Sequence, residues 1–243
     1  MPIILNSLGN QDGSCQDSKE IFYADDGSGG GKLTGLKYWW DNLCTKGPLY
    51  GYNPKPSKTW LIVKPGYIDE AKRIFSDVHI TDVGHEYLGS FIGTDQGKDT
   101  FVSEKIDKWI LDIDELSTIA NREPQLAYSA FIYGLSKRWN YICRTTPNVS
   151  ALMKRLEFKI REKFIPSILD RAFSCTDFVR KIFALPCKLG GLSLTDISEV
   201  SDMEYAFSQS ITKDLTEAVY QQHAFEYVEN KTVLQKVKSE VSK

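Results

Sequence analysis

The chain has no apolar run of 18 or more residues, so nothing in it reads as a membrane-spanning helix. Its opening, Met1 to Leu8, has no basic region and too short an apolar stretch for a secretory signal. It has few histidines, and His79, His85 and His223 fall at no metal-ligand spacing. The cysteines (Cys15, Cys44, Cys143, Cys175 and Cys187) are odd in number and scattered, with no C-x-x-C pair. That pattern supports neither a zinc knuckle nor a disulfide framework, and it fits reduced thiols of an intracellular protein, in cytoplasm or nucleus. Charge of either sign is also nearly absent as a net quantity: the formal total is -2. With 42% hydrophobic and 12% aromatic residues, there is enough apolar side chain to build a core, and global disorder is excluded.

The near-neutral total conceals a block structure. Between Lys137 and Lys188 there are twelve Lys or Arg against four Asp or Glu, whereas from Leu189 to Glu229 one Lys faces eight acids. A protein with one phosphate-facing surface has such an asymmetry, and so does an ordinary pair of solvated helices.

Hydrophobic spacing divides the chain near residue 95. Residues 1–19 are polar and turn-forming, a loop or disordered lead-in. Ile21-Phe22-Tyr23 is a short β run, and the Asp-Asp-Gly-Ser-Gly-Gly-Gly after it reads as a turn. Leu36, Trp39, Trp40 and Leu43 lie on one helical face, stopped by Gly47-Pro48. Strands at Thr59 to Val63 and Val78 to Ile80 flank a helix over Ile68 to Phe75, and a strand pair interrupted by Gly89 follows over Glu86 to Ile92. Beyond that the pattern is helical: Ile106 to Leu116, Leu126 to Tyr141, Val149 to Ile160, Phe164 to Phe183 with Pro166 inside it, and Val200 to Phe225. The last dozen residues form a charged tail. The expected fold class is therefore α+β, short strands with helices over 20–95, then a helical region over 96–228 and a tail over 229–243.

Tyr23-Ala24-Asp25-Asp26 puts two adjacent acids at the tip of a tight turn. There the up-down alternation of a strand breaks, so both carboxylates can reach one edge. Nucleotidyl transfer uses divalent ions about 3.5–4 Å apart, and magnesium is held by one or two carboxylates together with substrate phosphates. Asp-Asp-Gly is also common turn chemistry with no further role. A phosphate-cradling loop is the rival reading of Gly-Ser-Gly-Gly-Gly-Lys. It fails, because G-x-x-x-x-G-K-[ST] would put Asp26 at the first glycine and Leu33 at the hydroxyl.

Three blocks in order carry a family resemblance. Tyr23-Ala24-Asp25-Asp26 resembles the Y/F-x-D-D motif C of reverse transcriptases. Asn53-Pro54-Lys55-Pro56-Ser57-Lys58-Thr59, ahead of an apolar strand, is similar to the motif D neighbourhood. Tyr87-Leu88-Gly89 resembles the Y-L-G of motif E. Stretches at Tyr38 to Asn42, Gly47 to Val63, Pro124 to Tyr128 and Leu189 to Leu192 are similar to retrotransposon polymerases of aquatic animals, and the resemblance covers about residues 20–225.

The resemblance implies a partial polymerase palm over 20–95, short antiparallel strands with helices, followed by an α-helical thumb and its extension. Asp25 would be the main catalytic metal ligand for Mg2+ or Mn2+, with Asp26 a second. Lys58 would lie near the phosphates of the incoming dNTP. Tyr23, Tyr87, Leu88 and Gly89 would contact the primer. Lys137, Arg138, Arg144, Lys154, Arg155, Lys159, Arg161 and Lys163 would face the backbone of an RNA/DNA template–primer duplex. The family's third carboxylate and its fingers lie well upstream of motif C. Only 24 residues precede Asp25 here, with Asp12, Asp17 and Glu20 too close to serve. Inactivity of the chain alone is therefore expected, unless another chain supplies the missing palm strands. The alternative is a non-catalytic remnant that binds nucleic acid by charge.

Overall fold

The computed structural model describes residues 18–169 and 172–224. Most of the expected lead-in (with Cys15, Asp12 and Asp17), the charged tail 229–243, Asp170 and Arg171 lie outside the described residues. The architecture is α+β, mostly helical, with three small two-stranded sheets ahead of the helices. Among the described residues no helix is long and apolar enough to cross a membrane. The described residues divide into two compact units, those within 1–85 and 213–228, and those within 86–212.

In the first unit, β1 (Ser18–Tyr23) pairs antiparallel with β2 (Asp26–Gly31), Ser18 opposite Gly31 and Tyr23 opposite Asp26. The glycine run expected as a turn is thus a strand, and Ser18 and Lys19 belong to β1 rather than to a loop. Glycine is a poor strand former, but packing overrides propensity here. A Cβ on Gly29 would come within 3.3 Å of the Leu36 and Trp39 side chains, so the bare strand lets α1 (Leu33–Lys46) lie close against it. Trp40 and Leu43 of α1 are buried with Phe75, the expected face meeting the sheet layer.

β3 (Trp60–Ile62) and β4 (His79–Thr81) are parallel, not antiparallel as the palm resemblance implies. The helix between them, α2 (Ile68–Ile74), explains this: a crossover of that length returns the chain in the same direction. β5 (Gly84–Tyr87) and β6 (Ser90–Gly93) form the third sheet.

The second unit is built on α3 (Asp95–Ala120), whose N-cap Thr94 accepts a hydrogen bond from Gly97 N at 3.2 Å. Two long helices pack on it, each widened by a π turn. One runs α4 (Pro124–Ala130), π segment Phe131–Leu135, α5 (Ser136–Thr145). The other runs α6 (Ser150–Lys159), π segment Ile160–Phe164, α7 (Ile165–Ile168). The π segments place Phe131 and Phe164 face to face, with centroids 4.4 Å apart, at the centre of the helical core. The helix expected over Phe164 to Phe183, interrupted early by Pro166, is two pieces, but the break falls after Ile168 and not at Pro166. α7 stops at Ile168, and α8 (Asp177–Ala184) starts afresh behind Thr176, whose hydroxyl accepts from Val179 N. Gly190-Gly191 breaks the chain as expected, and α9 (Ile197–Gln221) follows. Gly191 has no room for a side chain: a Cβ there would sit 2.0 Å from the Leu185 carbonyl oxygen.

Candidate functional site

Ala24 and Asp25 are the two connecting residues of the β1–β2 hairpin, so the Tyr-Ala-Asp-Asp block is its tip. Ala24 has φ +54, the sign demanded at the first central position of a II′ turn, where glycine is the usual occupant. An alanine there is strained, and such strain persists where surroundings or function require it. Asp25 and Asp26 are both exposed, and Tyr23 beside them is 67% exposed. The hairpin forms its own two-stranded sheet, which would be marginal in water without support. Support comes from α1 on one face and from the last described turn of the chain. Lys19 Nζ lies 4.0 Å from the Tyr220 ring centroid and donates to the Tyr220 carbonyl, and Gln222 Nε2 donates to Glu20 O at 3.1 Å.

The donor set at the tip is two carboxylates. That suits one magnesium held jointly with substrate phosphates. It does not suit a pair of bridged ions, and no group of three His, Cys, Asp or Glu is gathered among the described residues. Glu20 is no third ligand: its side chain accepts from Ser18 Oγ at 2.6 Å within β1.

Lys58 ends a short 3-10 turn, Pro56–Lys58, ahead of β3, and both Lys58 and Lys55 are exposed. Lys58 thus leads into a different sheet from the one that carries the Asp pair. Next to it stands an aromatic stack that hydrophobic spacing does not reveal. Trp60 lies between His79 and His85, with centroids 4.7 and 4.0 Å away, and His79 Nε2 is 3.0 Å from Ser57 O. The parallel pairing of β3 with β4 sets Trp60 opposite His79, and this pairing was not legible in the chain.

Tyr87-Leu88-Gly89 opens the turn between β5 and β6. Leu88 (φ +48) and Gly89 (φ +79) are both left-handed, as a I′ turn requires. Leucine is a costly choice there, so this hairpin tip, like the Asp-Asp tip, is held in a strained form. Tyr141 of α5 holds it: its hydroxyl donates to Leu88 O, and its ring lies 3.3 Å from where a Gly89 Cβ would be. Ser90 Oγ lies 3.2 Å from Thr146 Oγ1, and Lys105 pairs with Glu86 at 2.9 Å. The sequence shows Tyr141 only as one more aromatic in a helix.

The basic block is less free than its composition implies. Arg138 pairs with Asp112 at 2.6 Å, Arg155 with Asp107 at 2.5 Å and Lys159 with Asp114 at 2.8 Å; Lys163 also reaches Asp114. All these acids are on α3, so its acidic face neutralises the facing cations. Burial pushes the Asp114 carboxyl up, but the two lysines outweigh it and hold the group below its ordinary range. Arg161 pairs with Asp177 at 2.6 Å. Lys137, Arg144 and Lys154 are exposed and make no ion pair among the described residues. Arg180, also within the basic block, is not on the surface. It is buried, forked onto Glu157 at 2.5 and 2.8 Å, and donates to Leu194 O. Burial pushes the Glu157 carboxyl up and the guanidinium pulls it back, with burial the larger effect. This pair ties α6 to α8 and to the loop ahead of α9.

No family model, curated protein or solved structure matches this chain.

Proposed function

We propose that the chain is a palm-and-thumb portion of the retroelement reverse-transcriptase lineage, an RNA-directed DNA polymerase fold. In this reading it grips a template–primer duplex but does not extend it alone. The observation that carries the reading is the hairpin tip: Tyr23-Ala24-Asp25-Asp26 presents two adjacent, exposed carboxylates on a two-residue turn with a left-handed alanine. The second strained tip, Tyr87-Leu88-Gly89, supports it, because strain at both motif-bearing turns is costly unless their shapes matter.

Asp25 and Asp26 would hold one magnesium ion, which when bound would neutralise phosphate charge. Lys58 and Lys55 would contribute positive charge toward a nucleotide's phosphates. Lys137, Arg144 and Lys154 are ready for phosphate. Arg138 and Arg155 would exchange their carboxylate partners near the surface for phosphate, at little cost because such pairs are weak, whereas Lys159 and Lys163 would keep the half-buried Asp114 and add positive charge beside it. The set of two carboxylates at the tip is the reason for silence in polymerisation: two bridged ions need a further shared ligand.

Primer extension on an RNA template with Mg2+ or Mn2+ tests this. The expected result is no extension by the chain, together with hybrid binding that falls steeply with salt; binding indifferent to Mg2+ would favour the non-catalytic remnant. Extension that disappears in Asp25→Ala would show that the site is complete, and it would overturn the silent reading. Absence of any hybrid binding would remove the lineage's function altogether.

A further inference from the structure

Ile110 of α3 and Lys154, Arg155, Phe158 and Lys159 of α6 line an open groove of about 420 Å3, within the range of about 300–1,000 Å3 that holds small ligands. Phe158 is 67% exposed, although the helical core lies one face away. Lys154 and Phe158 are one turn apart on α6 and therefore share a face. Arg155 and Lys159 share the adjoining face, toward Asp107 and Asp114. The three lining cations meet two carboxylates, Asp107 and Asp114, so Lys154 keeps the groove positive after its internal pairs are made. An exposed flat ring with an apolar floor and surplus positive charge is a complement to a base flanked by phosphates. An acidic peptide would satisfy the charges but offers no flat face to the ring. A duplex would satisfy the charges too, but its bases are stacked on both sides.

We propose that this groove is a site for an unstacked nucleotide of a single-stranded nucleic acid, its base on the Phe158 ring and its flanking phosphates on Lys154 and Arg155. The proposal rests on the nucleic-acid reading above only for the class of polymer. It places a different ligand, single strand instead of hybrid, on the Phe158 ring, with Lys154 and Arg155 common to both readings. Arg155 gives up Asp107 when phosphate arrives, a partner that the guanidinium can fork onto.

The test uses the full chain and fluorescein-labelled eight-residue strands of oligo(dT), oligo(U) and an abasic backbone, read by anisotropy. Phe158→Leu keeps apolar volume and removes the ring at an exposed position. It is expected to weaken oligo(dT) and oligo(U) about tenfold, and to leave abasic-strand and RNA/DNA hybrid binding unchanged. Lys154→Gln is expected to reduce the salt slope for single strands by about 0.7. Tighter binding of oligo(U) than oligo(dT), or the reverse, identifies which strand the groove serves. Three results overturn the proposal: equal oligo(dT) affinity for wild type and Phe158→Leu, abasic strand bound as tightly as oligo(dT), or polyglutamate bound with the same dependence on Phe158. Failure here with hybrid binding intact leaves the duplex reading in place. Loss of hybrid binding alone removes that reading and not this one.

Discussion

The two units solve the same problem with unequal means. The helical unit surrounds α3 with a continuous cluster of buried side chains running from Val102 to Ile197, including Trp109, Trp139, Phe131 and Phe164. In the first unit the corresponding cluster of fully buried residues is Trp40, Leu43 and Phe75, with half-buried neighbours around them. Ahead of α3 the described strands form three separate two-stranded sheets, with β1–β2 and β3–β4 in the first unit, and each leaves ladder edges that further strands could extend. Burial of apolar area is the main favourable term in folding, so the helical unit carries the stability and the first unit is marginal. The lesson is a division of labour. The strained Asp25–Asp26 tip of the first unit bears candidate chemistry on a sheet of only two strands, while the well-packed helices offer a firm charged surface.

The comparison breaks most easily at the Glu157–Arg180 pair. Glu157→Ala strands a buried guanidinium and is expected to cost the helical unit about 3–5 kcal/mol, read as a lower urea midpoint of the far-ultraviolet helical signal. An unchanged midpoint would mean that Arg180 finds water or another carboxylate, and that the pair ties nothing together. A smaller effect of opposite sign is expected in the first unit. Ala24→Gly relieves the left-handed strain at the Asp-Asp tip and should stabilise that unit by about 1 kcal/mol, measured by hydrogen exchange of the β1 and β2 amides. Faster exchange in the variant would argue that the tip is not strained.

Thiol labelling sharpens the contrast further without altering the backbone. Cys187 is exposed, and hydrogen bonding with Ser193 and Tyr128 holds its thiol below its ordinary range, so it should react with iodoacetamide ahead of Cys44, Cys143 and Cys175. Burial pushes Cys143, in the helical core, up to about 12. Burial also raises half-buried Cys44 in the first unit, with Asp77 and Asp41 adding to it. With rising urea, Cys44 is expected to become reactive before Cys143, and peptide mapping reads the order. Simultaneous labelling would show one cooperative unit instead of two.

Element identity was largely legible in the chain, because periodicity reports which face is buried. The Trp40 and Leu43 face of α1, the Ile106, Trp109 and Ile113 stripe of α3, and the break at Gly190-Gly191 all follow from spacing and turn chemistry. What escaped was set by neighbours far along the chain. The Gly-rich β2 is a strand because Leu36 and Trp39 cover it, and no propensity reveals that. The parallel pairing of β3 with β4 depends on how α2 returns the chain. The end of the Phe164 to Phe183 run was hidden because Pro166 fits the first turn of α7 and breaks nothing. For the candidate site, the Asp25–Asp26 tip and the Leu88–Gly89 turn could be read directly. The clamp by Tyr141, the histidines flanking Trp60 and the carboxylates that engage the basic block could not. Each joins segments whose separate patterns carry no mark of the other.

The central claim is that the helical unit presents a phosphate-binding surface. Anisotropy titration of a labelled RNA/DNA hybrid against salt tests it most directly, with wild type and the double variant Lys137→Gln, Arg144→Gln. The account predicts that log affinity falls linearly with log salt, and that the double variant reduces the slope by about 2, near 0.9 for each phosphate no longer neutralised. Binding that ignores salt, or a slope unchanged in the double variant, would contradict it.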